Sequence, residues 1–197
     1  MASVDLTGLR IDSATPAPLT FGGVQRPATG GAVTRIQRMG SRWSFTFTTP
    51  PMPIEPDYRI WSAQFDRAEN DGALMRILLP GFSVGTPGSP TVASTVSTGR
   101  SVALTGVTAN YVIRAGQWIS FVVGGVRYLD RIAQQVAASS TGTATIVLKN
   151  LIRVPMPAGT VAELAVPKIE GSLEYSSVPT WTVDRLSMFA FTITEDA

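Results

Sequence analysis

The sequence of 197 residues contains no cysteine and no histidine. Without cysteine there is neither a disulfide nor a thiolate metal site. Without histidine, the usual general base and the commonest metal ligand are both missing. Ser-His-Asp and Cys-His catalysis are excluded with them. Charge is scarce too: 15% of residues, with a formal net of +2, too little to imply specific nucleic-acid binding. No apolar run reaches the roughly 18 residues of a membrane span. The opening MASVDLTGLR has no apolar signal region. No glycine-rich loop lies between a strand and a helix to hold phosphate, and the acidic residues lack calcium-loop spacing.

What is present reads as strands. At 44% hydrophobic the chain can bury a core, as one large domain or two small ones. Residues 111–131, YVIRAGQWISFVVGGVRYLDR, predict two strands around Gly124-Gly125, since both glycines can adopt the positive φ of a tight hairpin. Ser101–Leu104 and Thr143–Leu148 predict further short strands, so this region reads as a small barrel of about five strands. Arg42–Thr48 alternates Trp43, Phe45 and Phe47 with polar residues, a period of two with one apolar face. Ala32–Met39 is expected to pair with it across Gly40-Ser41. Residues 54–70 predict the main helix: Pro56 sits near its first turn, and Tyr58, Trp61, Phe65 and Ala68 form one apolar stripe. Trp43, Phe45, Phe47, Trp61 and Phe65 are expected to share one core.

The order is therefore a Thr/Pro/Gly-rich arm (1–31), a hairpin, the helix (54–70) and a strand (73–79), all within residues 1–84. An all-β insert follows over 85–166. Strands at Lys168–Tyr175, Thr180–Arg185 and Leu186–Thr194 close the chain over 167–197 and complete the domain that residues 1–84 begin. The strands flanking the insert are expected to share one sheet. The Gly/Pro-rich Phe82–Pro90 and Pro167 mark its ends, so excising it should leave a folded remainder. Residues 84–166 carry Arg100, Arg114, Arg127, Arg131, Lys149 and Arg153 against Asp130 and Glu163; this is either chance or the sign of two modules with different surfaces.

Candidate chemistry is thin. Asp66, Glu69 and Asp71 read as a solvated helix end, and Glu195-Asp196 as a solvated tail. No catalytic, cofactor or metal residues are assigned. Arg114, Trp118, Arg127 and Tyr128 form a candidate binding surface on the barrel, where aromatic rings and arginines could stack bases or sugars. The other reading has Trp118 or Phe121 filling the barrel, because residues 118 and 121 of one strand face opposite sides.

The run LTG, four residues, YVIRAGQWIS, then GGVRYLDR, ATIVLKNLIR and PMPAGTVAEL resembles a module of tail-tip proteins in long-tailed bacteriophages. Those often carry leucine-arginine-alanine-glycine-(any)-tryptophan followed by arginine-tyrosine-leucine-histidine-arginine. RWSFTFTTPPM and the helix before the module, with IEGSLEY and WTVDRLSMFAFTITE after it, are similar to the distal tail protein of siphophages. The resemblance spans residues 32–197. Asp130 departs from it where histidine is common, and Asn150-Leu151-Ile152 where two prolines and a leucine are common.

The resemblance implies a mainly β fold: a belt-type β-sandwich with one helix and an inserted OB-like or galectin-like barrel. It implies a non-enzymatic structural protein of the virion tail tip, made in the host cytoplasm. That protein would form a hexameric ring joining the tail tube to the tip hub or baseplate. Two alternatives stay open. One is a tail-tip module binding a host-surface glycan or another protein; the other is a different ring-forming tail component, such as a tube or completion protein. The arm Ala2–Gly31, too long for a simple loop, is expected to cross onto a neighbouring subunit.

Overall fold

The computed structural model describes residues 3–177 and 184–196. The first stretch runs β1 (Val4–Asp5), β2 (Ser13–Leu19), β3 (Gly23–Gln25), β4 (Thr34–Ile36), β5 (Arg42–Thr48), β6 (Met52–Pro53), α1 (Arg59–Asp71) and β7 (Ala73–Arg76). The middle runs β8 (Gly88–Val92), β9 (Ser101–Val107), β10 (Val112–Ile113), β11 (Trp118–Val123), β12 (Val126–Arg131), β13 (Val136–Ala137), β14 (Ala144–Val147) and β15 (Val161–Glu163). The chain closes with β16 (Lys168–Ser177), β17 (Leu186–Ser187) and β18 (Ala190–Glu195).

The fold is mainly β with one α-helix. Two six-stranded sheets carry it, ordered β1-β7-β16-β18-β5-β2 and β12-β11-β15-β8-β9-β14. The second sheet comes wholly from the middle of the chain, and the first from the two ends. The strands flanking the insert do pair: Lys168 lies opposite Arg76, and the Ile77 N–H donates to the Pro167 carbonyl at 2.8 Å.

The first core lies between its sheet and α1. Period-two alternation turns Trp43, Phe45 and Phe47 of β5 inward, as it does Phe191 and Ile193 of β18. Phe65 of α1 stacks on Phe189 at 4.4 Å and meets Phe191 edge-on at 4.8 Å. On the opposite face of β5 and β18, hydroxyls pair across the strands: Ser44 with Thr194 at 3.0 Å and Thr46 with Thr192 at 2.9 Å. Gly171 is required where β16 meets β18, because an added Cβ would fall 1.9 Å from the Thr194 carbonyl oxygen. The second core is aliphatic: Val102, Leu104, Ile113, Ile119, Ile146 and Leu148 surround Phe121. Gly124 and Gly125 turn the β11–β12 hairpin at φ of 61° and 87°, the positive values that turn needs.

Several expectations are corrected. β5 does not pair with residues 32–39. It lies between β18 and β2, with Pro16 opposite Phe45 and Pro18 opposite Trp43. Proline is tolerated in β2 because that strand is the sheet's edge. The expected partner instead supplies β4, which pairs with β3 in an exposed hairpin. The regular helix begins at Arg59: Glu55 is extended (φ −120°, ψ 128°), so Pro56 sits in a wider turn ahead of it. The strand after the helix stops at Arg76. Of the strand expected over Thr180–Arg185, residues 180–183 lie outside the described residues, and Asp184-Arg185 form a turn. Leu186–Thr194 is two strands broken at Met188-Phe189, where Phe189 turns into the core. Trp61 is only half-buried, at the edge of the core.

Candidate functional site: the seam between the two sheets

The two sheets meet where β12, the end strand of the second, runs beside β16 and β5 of the first. An end strand leaves alternate N–H groups without a ladder partner. Here those are Arg127, Leu129 and Arg131, and each finds a carboxylate. The Arg127 N–H donates to Glu170 at 3.0 Å, Leu129 to Glu195 at 2.7 Å and Arg131 to Asp130 at 2.7 Å.

Glu195 is the principal rivet. Its Oε1 accepts from the Leu129 N–H and from Arg153 Nη2, both at 2.7 Å, while Oε2 accepts from the Trp43 N–H at 2.7 Å. One carboxylate thus joins β5, β12 and the loop after β14. Asp130 is the second. It accepts from Trp43 Nε1 at 3.3 Å and from the Asn150 N–H and Nδ2 at 3.1 Å each. Burial pushes both carboxyls above their ordinary values, against the pull of Arg153 and of these donors. A third cluster closes the far end. Arg127 pairs with Glu163 at 3.2 Å and with Glu170 at 3.3 Å, and Lys168 pairs with Glu163 at 3.3 Å. Ser120 Oγ donates to Glu163 at 2.7 Å and accepts from the Lys168 N–H at 3.0 Å.

Apolar contacts bind the same seam. Trp118 leaves the second sheet and enters the first core, 4.6 Å from Trp43 and 5.0 Å from Phe45, edge to face. Leu129 joins it there. Lys149 Nζ lies 3.9 Å from the centre of the Trp43 ring. Burial, the largest cause, lowers the Lys149 pKa.

The candidate binding surface on the insert is therefore not one surface. Trp118 is 4% exposed, buried by the first sheet and unable to stack a ligand. Arg127 is committed to two glutamates. Tyr128 is half-buried, with the Arg153 guanidinium 5.4 Å from its ring centre. Only Arg114 is exposed, its guanidinium 5.6 Å from the Phe82 ring centre. The reading of Glu195 as part of a solvated tail is also overturned: it is 2% exposed. Its signal was in the sequence, since the alternation placing Phe191 and Ile193 inward continues to residue 195. Asp130 and Asn150, noted as two separate departures from the phage pattern, are partners.

Among the described residues no group of three or more acidic side chains could hold a metal ion. No described helix is long and apolar enough to cross a membrane. Two of the surface cavities lie beside the N-terminal strands. One, about 240 Å³, lies among Leu9, Ile11, Phe47, Met75 and Leu78, with Arg76 at its wall. The other, about 440 Å³, separates the β3–β4 hairpin from the second sheet. No protein-family model matches the chain, and no curated protein matches it either.

Proposed function

We propose that this chain is a structural component of a long-tailed phage, a ring-forming adapter between tail tube and tip, assembling as a hexamer at the virion tail tip. The observation that carries the reading is the β3–β4 hairpin; the rest of the expected arm Ala2–Gly31 does not stand free, since β1 and β2 pair with β7 and β5 of the same chain. Strands β3 and β4 pair only with each other and are exposed along most of their length. Phe21, Val24, Val33 and Met39, in and beside this hairpin, are 50%, 56%, 54% and 53% exposed. Apolar side chains gathered on a projecting hairpin favour a protein partner. The riveted seam supports the same reading, because a subunit that transmits load needs its two halves held in one orientation. The resemblance over residues 32–197 supplies the phage context. The glycan-binding alternative is weakened by the burial of Trp118 and the engagement of Arg127.

Electron microscopy of the purified chain, alone and with a tail tube protein, tests the reading. Closed rings are expected, lost when the hairpin residues 21–39 are replaced by a short Gly/Ser link that keeps β1, β2 and the buried Leu6 and Leu9 in the first sheet and core. A chain that remains monomeric in both settings, and attaches to no other tail component, overturns it.

A further inference from the structure

The 440 Å³ groove beneath the hairpin has two basic walls. Arg35 and Arg38 come from the hairpin side, and Arg100 and Lys149 from the segments just before β9 and just after β14. No acidic residue lines it, and among the described residues none of these four cations makes an ion pair. The bias extends along the chain on both sides of the hairpin: residues 13–53 contain Arg26, Arg35, Arg38 and Arg42 and not one Asp or Glu.

The opposite bias follows immediately in the chain. Residues 54–71 hold Glu55, Asp57, Asp66, Glu69 and Asp71 against Arg59 and Arg67. Glu55 is taken by Arg59 at 2.7 Å. Asp66 and Glu69 are exposed on the second half of α1 and unpaired among the described residues. Their charge falls on Tyr175, whose hydroxyl is pushed up to about 12, by burial first and by these carboxylates next. Among the described residues, no ion pair within the chain joins the arginines of residues 13–53 to the helix's carboxylates.

We infer that the basic groove is a socket for the Asp66/Glu69 end of α1 on a second copy of this chain. The inference rests on the ring reading and names its contact. Two different, complementary patches on one subunit make a head-to-tail interface, the kind that closes into a ring. The charges steer the encounter and fix which face meets which. Because they are solvent-exposed, the contact weakens with salt.

Charge exchange on the full chain tests this, read by sedimentation and light scattering. Arg35→Glu with Arg38→Glu in one chain, and Asp66→Lys with Glu69→Lys in another, should each weaken self-association by about 100-fold. Mixing the two variants should restore assemblies in which they alternate. Raising salt from about 0.1 to about 0.5 M should weaken the wild-type contact by about tenfold. If the hairpin variant loses its fold, Arg100→Glu on the other wall should report the same loss. Wild-type rings with variants that assemble equally well, or no rescue on mixing, overturn the socket and leave the ring standing. A wild-type chain that never assembles, with or without a tail tube protein, overturns both.

Discussion

The two cores are built from different side chains, and the difference explains how the halves depend on each other. The first gathers Trp43, Phe45, Phe47, Tyr58, Phe65, Phe189 and Phe191. The second holds Phe121 among Val, Leu, Ile, Ala and Met. Rings reach across the wide gap between a sheet and a helix, whereas aliphatic branches fill the narrower space enclosed by strands alone. The first core is also assembled from distant segments, and it takes Trp118 and Leu129 from the insert. The second is drawn entirely from residues 92–164. The insert therefore carries its own core, while the surrounding sheet borrows two side chains from it.

The largest expected effect comes from separating the halves. Replacing residues 85–166 by a short Gly/Ser link removes Trp118, Leu129 and every insert donor to Glu195. The remaining chain should lose cooperative melting and bind an apolar dye, while the excised insert melts cooperatively. This reverses the expectation from the Gly/Pro-rich boundaries alone; a remainder that melts cooperatively would show the borrowed side chains to be dispensable.

Trp118→Ala cuts the same dependence at one residue. It should cost about 3–5 kcal/mol, the range for truncating a large buried aromatic. Denaturant unfolding reads this, and a cost under about 1 kcal/mol would mean that the seam closes without it.

Glu195→Gln tests the polar half of the seam. It puts an NH2 where one carboxylate oxygen accepts from the Trp43 N–H or from the Leu129 N–H and Arg153, so one buried donor faces another, at a cost of about 2 kcal/mol. The pH dependence has a definite sign. Burial raises the folded pKa of Glu195 and Asp130, so between the ordinary carboxylate value and the raised one the folded chain binds more protons than the unfolded. Stability then falls as pH rises through that window and is regained on acidification. Chemical unfolding from neutral pH downward should show wild type gaining stability on entering the window, and Glu195→Gln should lose the Glu195 share of that slope. A wild-type profile falling monotonically on acidification would reverse the assignment.

The smallest effect is expected from Trp61→Ala. Trp61 is half-buried beside Gly8, with its ring 3.6 Å from where a Cβ there would sit, and its truncation should cost about 1–2 kcal/mol. A loss near about 4 kcal/mol would make it as central to the first core as Phe65.

Much of the β character was legible. Arg42–Thr48 declared its buried face by alternation, and Gly124-Gly125 its turn, because both signals reside in neighbouring residues. Helix α1 was legible as an element but was read to start too early: Glu55 precedes Pro56, and the residue before a proline favours the extended conformation that it adopts. The candidate site was less legible. Trp118 looked like a barrel residue because period two says only that it faces away from Phe121. Period two cannot say that another sheet lies on that side. Glu195 sat at the end of a clear alternating strand, yet its charge argued for solvent.

What the sequence determined by itself, then, was the mainly β class, the exclusion of histidine and cysteine chemistry, and the alternation that faces each strand. Tertiary structure alone decided which strands pair, that Pro16 and Pro18 lie on an edge, and that Glu195 and Asp130 are buried. The physical reason is range. Alternation and turn chemistry act over a few residues, whereas the Glu195 carboxylate gains its partners Trp43, Leu129 and Arg153 only when segments far apart in the chain are brought together.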